Sequence, residues 1–126
     1  MKGIKLIGLL VVVLILTVGV VYVTNQEPTP DTEPGKVYIQ VTSEQFKFTP
    51  SIINVTYGAD VTLNITSLDV THGFQIDQYN IFNVVVPAHQ SVEVHFIANQ
   101  KGEFKFYCTV LCGTGHADHL GTLVVS

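Results

Sequence analysis

From Lys36 to the end of the chain, apolar residues recur at every second position and no run carries them at the three-and-four spacing of a helix. That pattern belongs to half-buried strands, because successive side chains of an extended backbone point to opposite faces. It passes through Val37, Ile39 and Val41, then Phe46 and Phe48, then Val61, Leu63 and Ile65. It resumes at Val92, Val94 and Phe96, at Phe104 and Phe106, and at Leu123 and Val125. Tyr57-Gly58-Ala59-Asp60, Pro87 to Gln90 and Gln100-Lys101-Gly102 supply turns between these stretches. Roughly ninety residues with seven or so such strands predict an all-β Greek-key sandwich or barrel.

The N-terminal part is of another kind. Leu6 to Val23 reads LIGLLVVVLILTVGVVYV, eighteen residues without a charge. As a helix it would be about 27 Å long, close to the thickness of a bilayer core. Lys2 and Lys5 precede it, and Glu27, Asp31 and Glu33 follow. The positive-inside bias therefore puts the amino terminus in the cytoplasm and the rest on the extracellular or periplasmic side. A cleaved signal peptide is the competing reading, but no small-x-small cleavage site follows the run and no cysteine there offers a lipid attachment point. Residues 25–35 hold three prolines and no apolar residue, the composition of an extended tether. The expected organisation is a single-pass membrane anchor over 1–24, a Pro-rich linker over 25–35 and one domain over 36–126.

Charge and size exclude several classes of function. A chain of 126 residues leaves no room for a multidomain enzyme. It has no arginine, and beyond the apolar run four lysines face ten acids, a formal balance of −6. A surface that reads phosphates cannot be built from that inventory, so nucleic-acid binding is excluded and any charge preference is a weak one for basic partners. Neither a nucleophile elbow nor a paired acid and base is present, so no catalytic centre of its own is expected.

The chemistry is concentrated near the C-terminus. Cys108-Thr-Val-Leu-Cys112-Gly-Thr-Gly-His116-Ala-Asp-His119 follows the strand Phe104-Lys-Phe106-Tyr-Cys108 and precedes another starting near Gly121. By strand parity Cys108 shares the inner face of Phe104 and Phe106. His72 likewise shares the parity of Val70, Phe74 and Ile76 and is expected to point inward. Several readings of these residues compete. The cysteines could pair as a disulfide in an oxidising compartment; two cysteines and two histidines suit structural zinc; His72 by itself reads as a satisfied core histidine. Thiolate and imidazole together are also what copper cycling between Cu(I) and Cu(II) requires, since sulfur favours the reduced ion and nitrogen tolerates both. Asp69 and Asp118 flank the cluster and are candidates to orient a ligand imidazole, although Asp69 reads equally as a turn residue. His89 and His95 read as surface residues. Asn54-Val-Thr56 and Asn64-Ile-Thr66 match glycosylation acceptors, which in strand-rich sequence is as readily coincidence.

The C-x₃-C-G-x₂-H loop, the Asp69-Val-Thr-His72-Gly-Phe74 strand before it, the Gly102-Glu-Phe-Lys-Phe-Tyr-Cys108 approach and the Gly121-Thr-Leu-Val-Val exit together resemble the copper A domain of cytochrome c oxidase subunit II. The resemblance covers Lys36 to Ser126, and a single anchor resembles the branch of that family with one membrane span. It implies a cupredoxin-like fold and a binuclear copper centre, with Cys108 and Cys112 as bridging thiolates and His72 and His116 as terminal imidazoles. It further implies a weak axial bond from the main-chain carbonyl of Val110. The family's other axial group, a methionine three residues after the loop histidine, is replaced here by His119, and Met1 is the only methionine. A histidine there would favour Cu(II) and lower the reduction potential. The implied function is electron transfer, from a soluble donor such as cytochrome c or a cupredoxin to the catalytic subunit I of a heme-copper oxidase. A mononuclear cupredoxin serving another membrane redox enzyme, or a copper storage or delivery protein, remains the alternative.

Overall fold

In a computed structural model of the protein, residues 35–126 are described. The expected anchor and all but the last residue of the linker lie outside the described residues. Among those described, no helix is long and apolar enough to cross a membrane.

Alternation becomes strand throughout. β1 (Lys36–Glu44), β2 (Lys47–Thr49), β4 (Asp60–Ser67) and β7 (Ser91–Ile97) form one sheet in the order β2-β1-β4-β7. β3 (Ile52–Val55), β9 (Leu120–Val125), β8 (Gly102–Tyr107), β5 (His72–Ile76) and β6 (Ile81–Val86) form the other, in the order β3-β9-β8-β5-β6. Among the described residues helix is confined to single 3₁₀ turns at Asp77–Tyr79 and His116–Asp118. β4 shows the underlying logic best: Val61, Leu63, Ile65 and Ser67 are buried and the residues between them are half-buried. The inward side chains of both sheets meet in one apolar cluster, which makes the domain a sandwich. At its centre Phe48, Phe74 and Phe106 are fully buried, with ring centroids 5.2 to 5.8 Å apart. Contacts of that kind add about 0.5–1.5 kcal/mol each beyond the area they bury.

Among the described residues there are nine strands where the alternation suggested seven or so. The additional ones lack a readable period: β3 has four residues, and β6 is a sheet edge whose Phe82 and Val85 face solvent. Val70 also departs from expectation. It shares the parity of His72 but is exposed, because it precedes the first residue of β5, in a turn where strand parity does not apply.

Topology brings the site together. β1 and β4 run parallel, pairing from Lys36↔Asp60 to Ser43↔Ser67, so both chains leave the sheet at the same end. β5 starts there with His72, β8 ends there at Tyr107, and β9, antiparallel to β8, starts opposite it at Leu120. Cys108 and His119 are therefore the first and last residues of a loop closed by a hydrogen bond from the Cys108 N–H to the His119 carbonyl (3.0 Å).

Candidate metal centre

Four buried side chains, His72, Cys108, Cys112 and His119, bring one nitrogen or sulfur each to within 4.8 Å of one another. The cysteines are free thiols with Sγ atoms 3.7 Å apart, too far for a bond of about 2.05 Å. Cys112 is the hub, since its sulfur also lies 3.6 Å from Nδ1 of His116 and 3.6 Å from Nδ1 of His119. His116 is half-buried, where an open groove of about 610 Å³ between Tyr107, Lys105 and Leu120 reaches Cys108 and His119. The Val110 carbonyl stands 3.2 Å from the Cys108 sulfur. The six residues expected as metal ligands, His72, Cys108, Val110, Cys112, His116 and His119, thus lie together.

The imidazoles are held from behind. His72 Nε2 lies 2.6 Å from the Asp69 carboxylate, while its Nδ1 is buried and has no hydrogen-bond partner. A buried nitrogen without a partner costs stability unless something fills the role, and a metal ion is a group that can. His119 repeats the arrangement, with Nε2 3.1 Å from Ser43 Oγ and Nδ1 toward the sulfur of Cys112. Asp69 is fixed in turn by the N–H groups of Gln45 (2.8 Å) and Val70 (2.7 Å). Burial acts to raise its carboxyl, but these bonds and the His72 ring outweigh it and hold it below the usual carboxylate range.

Two further contacts shape the loop. The Gln45 side-chain amide donates to the Cys112 carbonyl. Phe46 lies over the glycines of the loop, so close that a Cβ at Gly115 would stand 2.4 Å from its ring. Phe48 packs on His119 with centroids 4.2 Å apart, continuing the aromatic core into the site. None of Ser43, Gln45, Phe46 and Phe48 stood out as a site residue in the sequence. A signal existed for Ser43, which is polar at the inward parity of Val41, just as Ser67 is polar at that of Ile65. Of the two flanking acids, Asp69 reaches an imidazole. Asp118 is exposed, and its backbone N–H bonds the Gly115 carbonyl (3.0 Å). His89 and His95 are exposed, His95 against Asp60.

Burial and the neighbouring Cys108 push the Cys112 thiol up to about 11, so without metal it is protonated and metal must displace that proton. Burial, then electrostatic repulsion from the neighbouring His72, lower His119 from 6.5 to about 4 despite a backbone hydrogen bond at Lys47. The unfolded chain then binds a proton on this ring between pH 6.5 and about 4 that the folded one does not, so stability falls as the pH falls through that window and levels off below it. In the metal-free protein we expect His119 to contribute a slope of about 1 kcal/mol per pH unit. Urea midpoints measured from pH 7 to 4 check this: the slope should flatten in His119→Met, and equal slopes in parent and variant would refute it.

Two facing β-sheets with thiols and imidazoles buried at one end, drawn from a strand and a C-terminal loop, define a cupredoxin-like domain, and residues 10–125 match the family so described. Over 94 residues the chain is 36% identical to cytochrome c oxidase subunit 2 of Thermus thermophilus, covering 75% of this chain and 69% of that one. A longer Thermus thermophilus subunit 2 is also 36% identical over 94 residues, and this chain spans 55% of its length. The periplasmic domain of subunit II of cytochrome oxidase from Bradyrhizobium japonicum shares the fold, with a TM-score of 0.65 at 19% identity over 79% of this chain and 86% of that one. The chain belongs to the cytochrome c oxidase subunit 2 family.

Proposed function

We propose that the domain is a membrane-tethered copper A-like electron-transfer module that takes electrons from a soluble donor, a cytochrome c or a cupredoxin, and passes them to the catalytic subunit I of a heme-copper oxidase. The observation that carries this reading is the buried, unpartnered Nδ1 of His72 beside two free thiols 3.7 Å apart. The donor set fits copper. Bound there, copper would supply a one-electron couple, stabilised as Cu(I) by sulfur and tolerated in both states by nitrogen. In this reading the thiolates of Cys108 and Cys112 and the imidazoles of His72 and His116 would hold the copper, with His119 and the Val110 carbonyl as weaker ligands.

The chain's own part is to keep the ligands still. Asp69 fixes the His72 ring, Ser43 the His119 ring and Gln45 the Cys112 carbonyl, so few groups have to move when charge changes. Cys108, on the inner face beside Phe106, is kept from water. The uncharged run Leu6–Val23 supports tethering to the cell membrane, with the domain on the extracellular or periplasmic side.

Copper analysis and electron-spin resonance of the full chain in detergent test the proposal. It requires two coppers per chain and a seven-line signal. A mononuclear site is the second reading, favoured by the fact that the four buried ligand groups do not include the half-buried His116. One copper with a four-line signal would establish it, and zinc in place of copper would overturn both.

A further inference from the structure

We infer that Ser43 is the positioning residue for His119: its hydroxyl accepts the Nε2–H proton, which leaves Nδ1 unprotonated and aimed at Cys112 as a metal ligand. The inference deepens the copper reading above and, in its metal-bound arm, rests on it.

A neutral imidazole carries one N–H and one lone pair, and which nitrogen holds the proton is decided by what the ring meets on each side. On the Nδ1 side His119 meets the Cys112 sulfur at 3.6 Å, among the buried groups that could hold a metal. On the Nε2 side it meets Ser43 Oγ at 3.1 Å. A ring that turns its Nδ1 lone pair toward the ligand groups carries its proton on Nε2, where the Ser43 hydroxyl is placed to accept it. The ring is 1% exposed and lies against Phe48 and, edge to face at 4.8 Å, His72, so a flip would have to break this packing.

Ser43 is itself held in place. It is fully buried, it pairs with Ser67 across the parallel β1–β4 ladder, and its carbonyl accepts the Leu68 N–H at 2.9 Å. Ser67 donates its hydroxyl to the Val70 carbonyl and accepts the Asp69 N–H at 3.3 Å, which steadies the turn carrying the carboxylate behind His72. The two serine ends thus govern both buried imidazoles, Ser43 directly and Ser67 through Asp69. A thioether at position 119 would have no second nitrogen to hold, so the role of Ser43 exists only because this chain has a histidine there.

Two measurements on the full chain in detergent micelles test this. In metal-free protein labelled with ¹⁵N-histidine, the His119 resonances, assigned by their loss in His119→Met, should report the Nε2–H tautomer, with the Nδ1–H form rising in Ser43→Ala. A parent ring protonated on Nδ1 would overturn the inference. In copper-loaded protein titrated with a chelator, Ser43→Ala should lower copper affinity about tenfold or more, and Ser43→Thr should restore it. In a His119→Met background Ser43→Ala should have no effect. An equal loss in both backgrounds would show Ser43 to be merely structural and would also overturn the inference. If the tautomer result holds while the parent takes up no copper, the electron-transfer reading fails and the positioning role stands.

Discussion

Replacing Gly73 with alanine is expected to cost about 3 kcal/mol or more and to loosen the metal cluster, the largest stability effect of any single methyl group at the site. A Cβ at Gly73 would stand 2.3 Å from Thr109 Oγ1 and 2.7 Å from the backbone nitrogens of Thr109 and Val110. The side-chain oxygen could rotate away, but the two nitrogens cannot move without carrying the ligand loop with them. That loop holds Cys108, whose sulfur accepts the Gly73 N–H at 3.3 Å, and the Val110 carbonyl beside it. Relief of the clash therefore displaces two groups of the proposed centre together. Gly58→Ala is the control: its φ of +85° strains any side chain, but nothing lies within 4 Å of the added carbon, so it should cost about 1 kcal/mol and leave copper binding unchanged. Urea midpoints of both metal-free variants and their copper affinities decide the matter. A Gly73→Ala protein with the parent's midpoint and affinity would mean that β5 and the loop are not in contact.

Cys112→Ser is expected to reduce copper affinity by more than the 10–100-fold typical of losing a group behind a ligand, and to erase the binuclear spin signal. Cys112 is the sulfur nearest to three other ligand groups, Cys108, His116 and His119, so its removal takes a soft anionic donor from the middle of the cluster. A serine hydroxyl is harder and far less readily ionised, and cannot take over a thiolate's bonds to Cu(I). The metal-free variant should remain folded, because the replacement is nearly isosteric and its hydroxyl can donate to one of the two Nδ1 atoms that face the thiol. Chelator titration with electron-spin resonance reads the first effect and urea unfolding the second. An unchanged seven-line signal would show that Cys112 does not bridge. His119→Met should be far milder, retaining copper and raising the reduction potential, because an axial bond is weak where a bridge is strong.

Much of this molecule could be read along the chain. Strand period, turn residues and the inward parity of His72 and Cys108 are local properties, repeated every two residues, and they survive into the sandwich nearly unchanged. The Cys108–His119 loop was legible because its donors sit within twelve residues of one another. Short or edge strands such as β3 and β6 were not, since in the four-residue β3 an exposed Ile52 hides the alternation and β6 is buried only at its two ends. Asp69 was visible only as a candidate, because a turn aspartate and one that grips a histidine look alike in sequence.

What no reading of the chain could supply is the far side of each ligand. Ser43 and His119 are 76 residues apart and meet only because β1 lies parallel to β4 and ends where the ligand loop closes. The same holds for Phe46 over Gly115 and for Phe48 against His119. The sequence by itself determined which atoms are available to hold a metal and that they lie on an all-β framework, because donor chemistry and alternation are written residue by residue. Only the tertiary structure decided which nitrogen of each ring faces the sulfurs, how deeply each ligand is buried and what holds it there, because those depend on contacts between strands far apart in sequence.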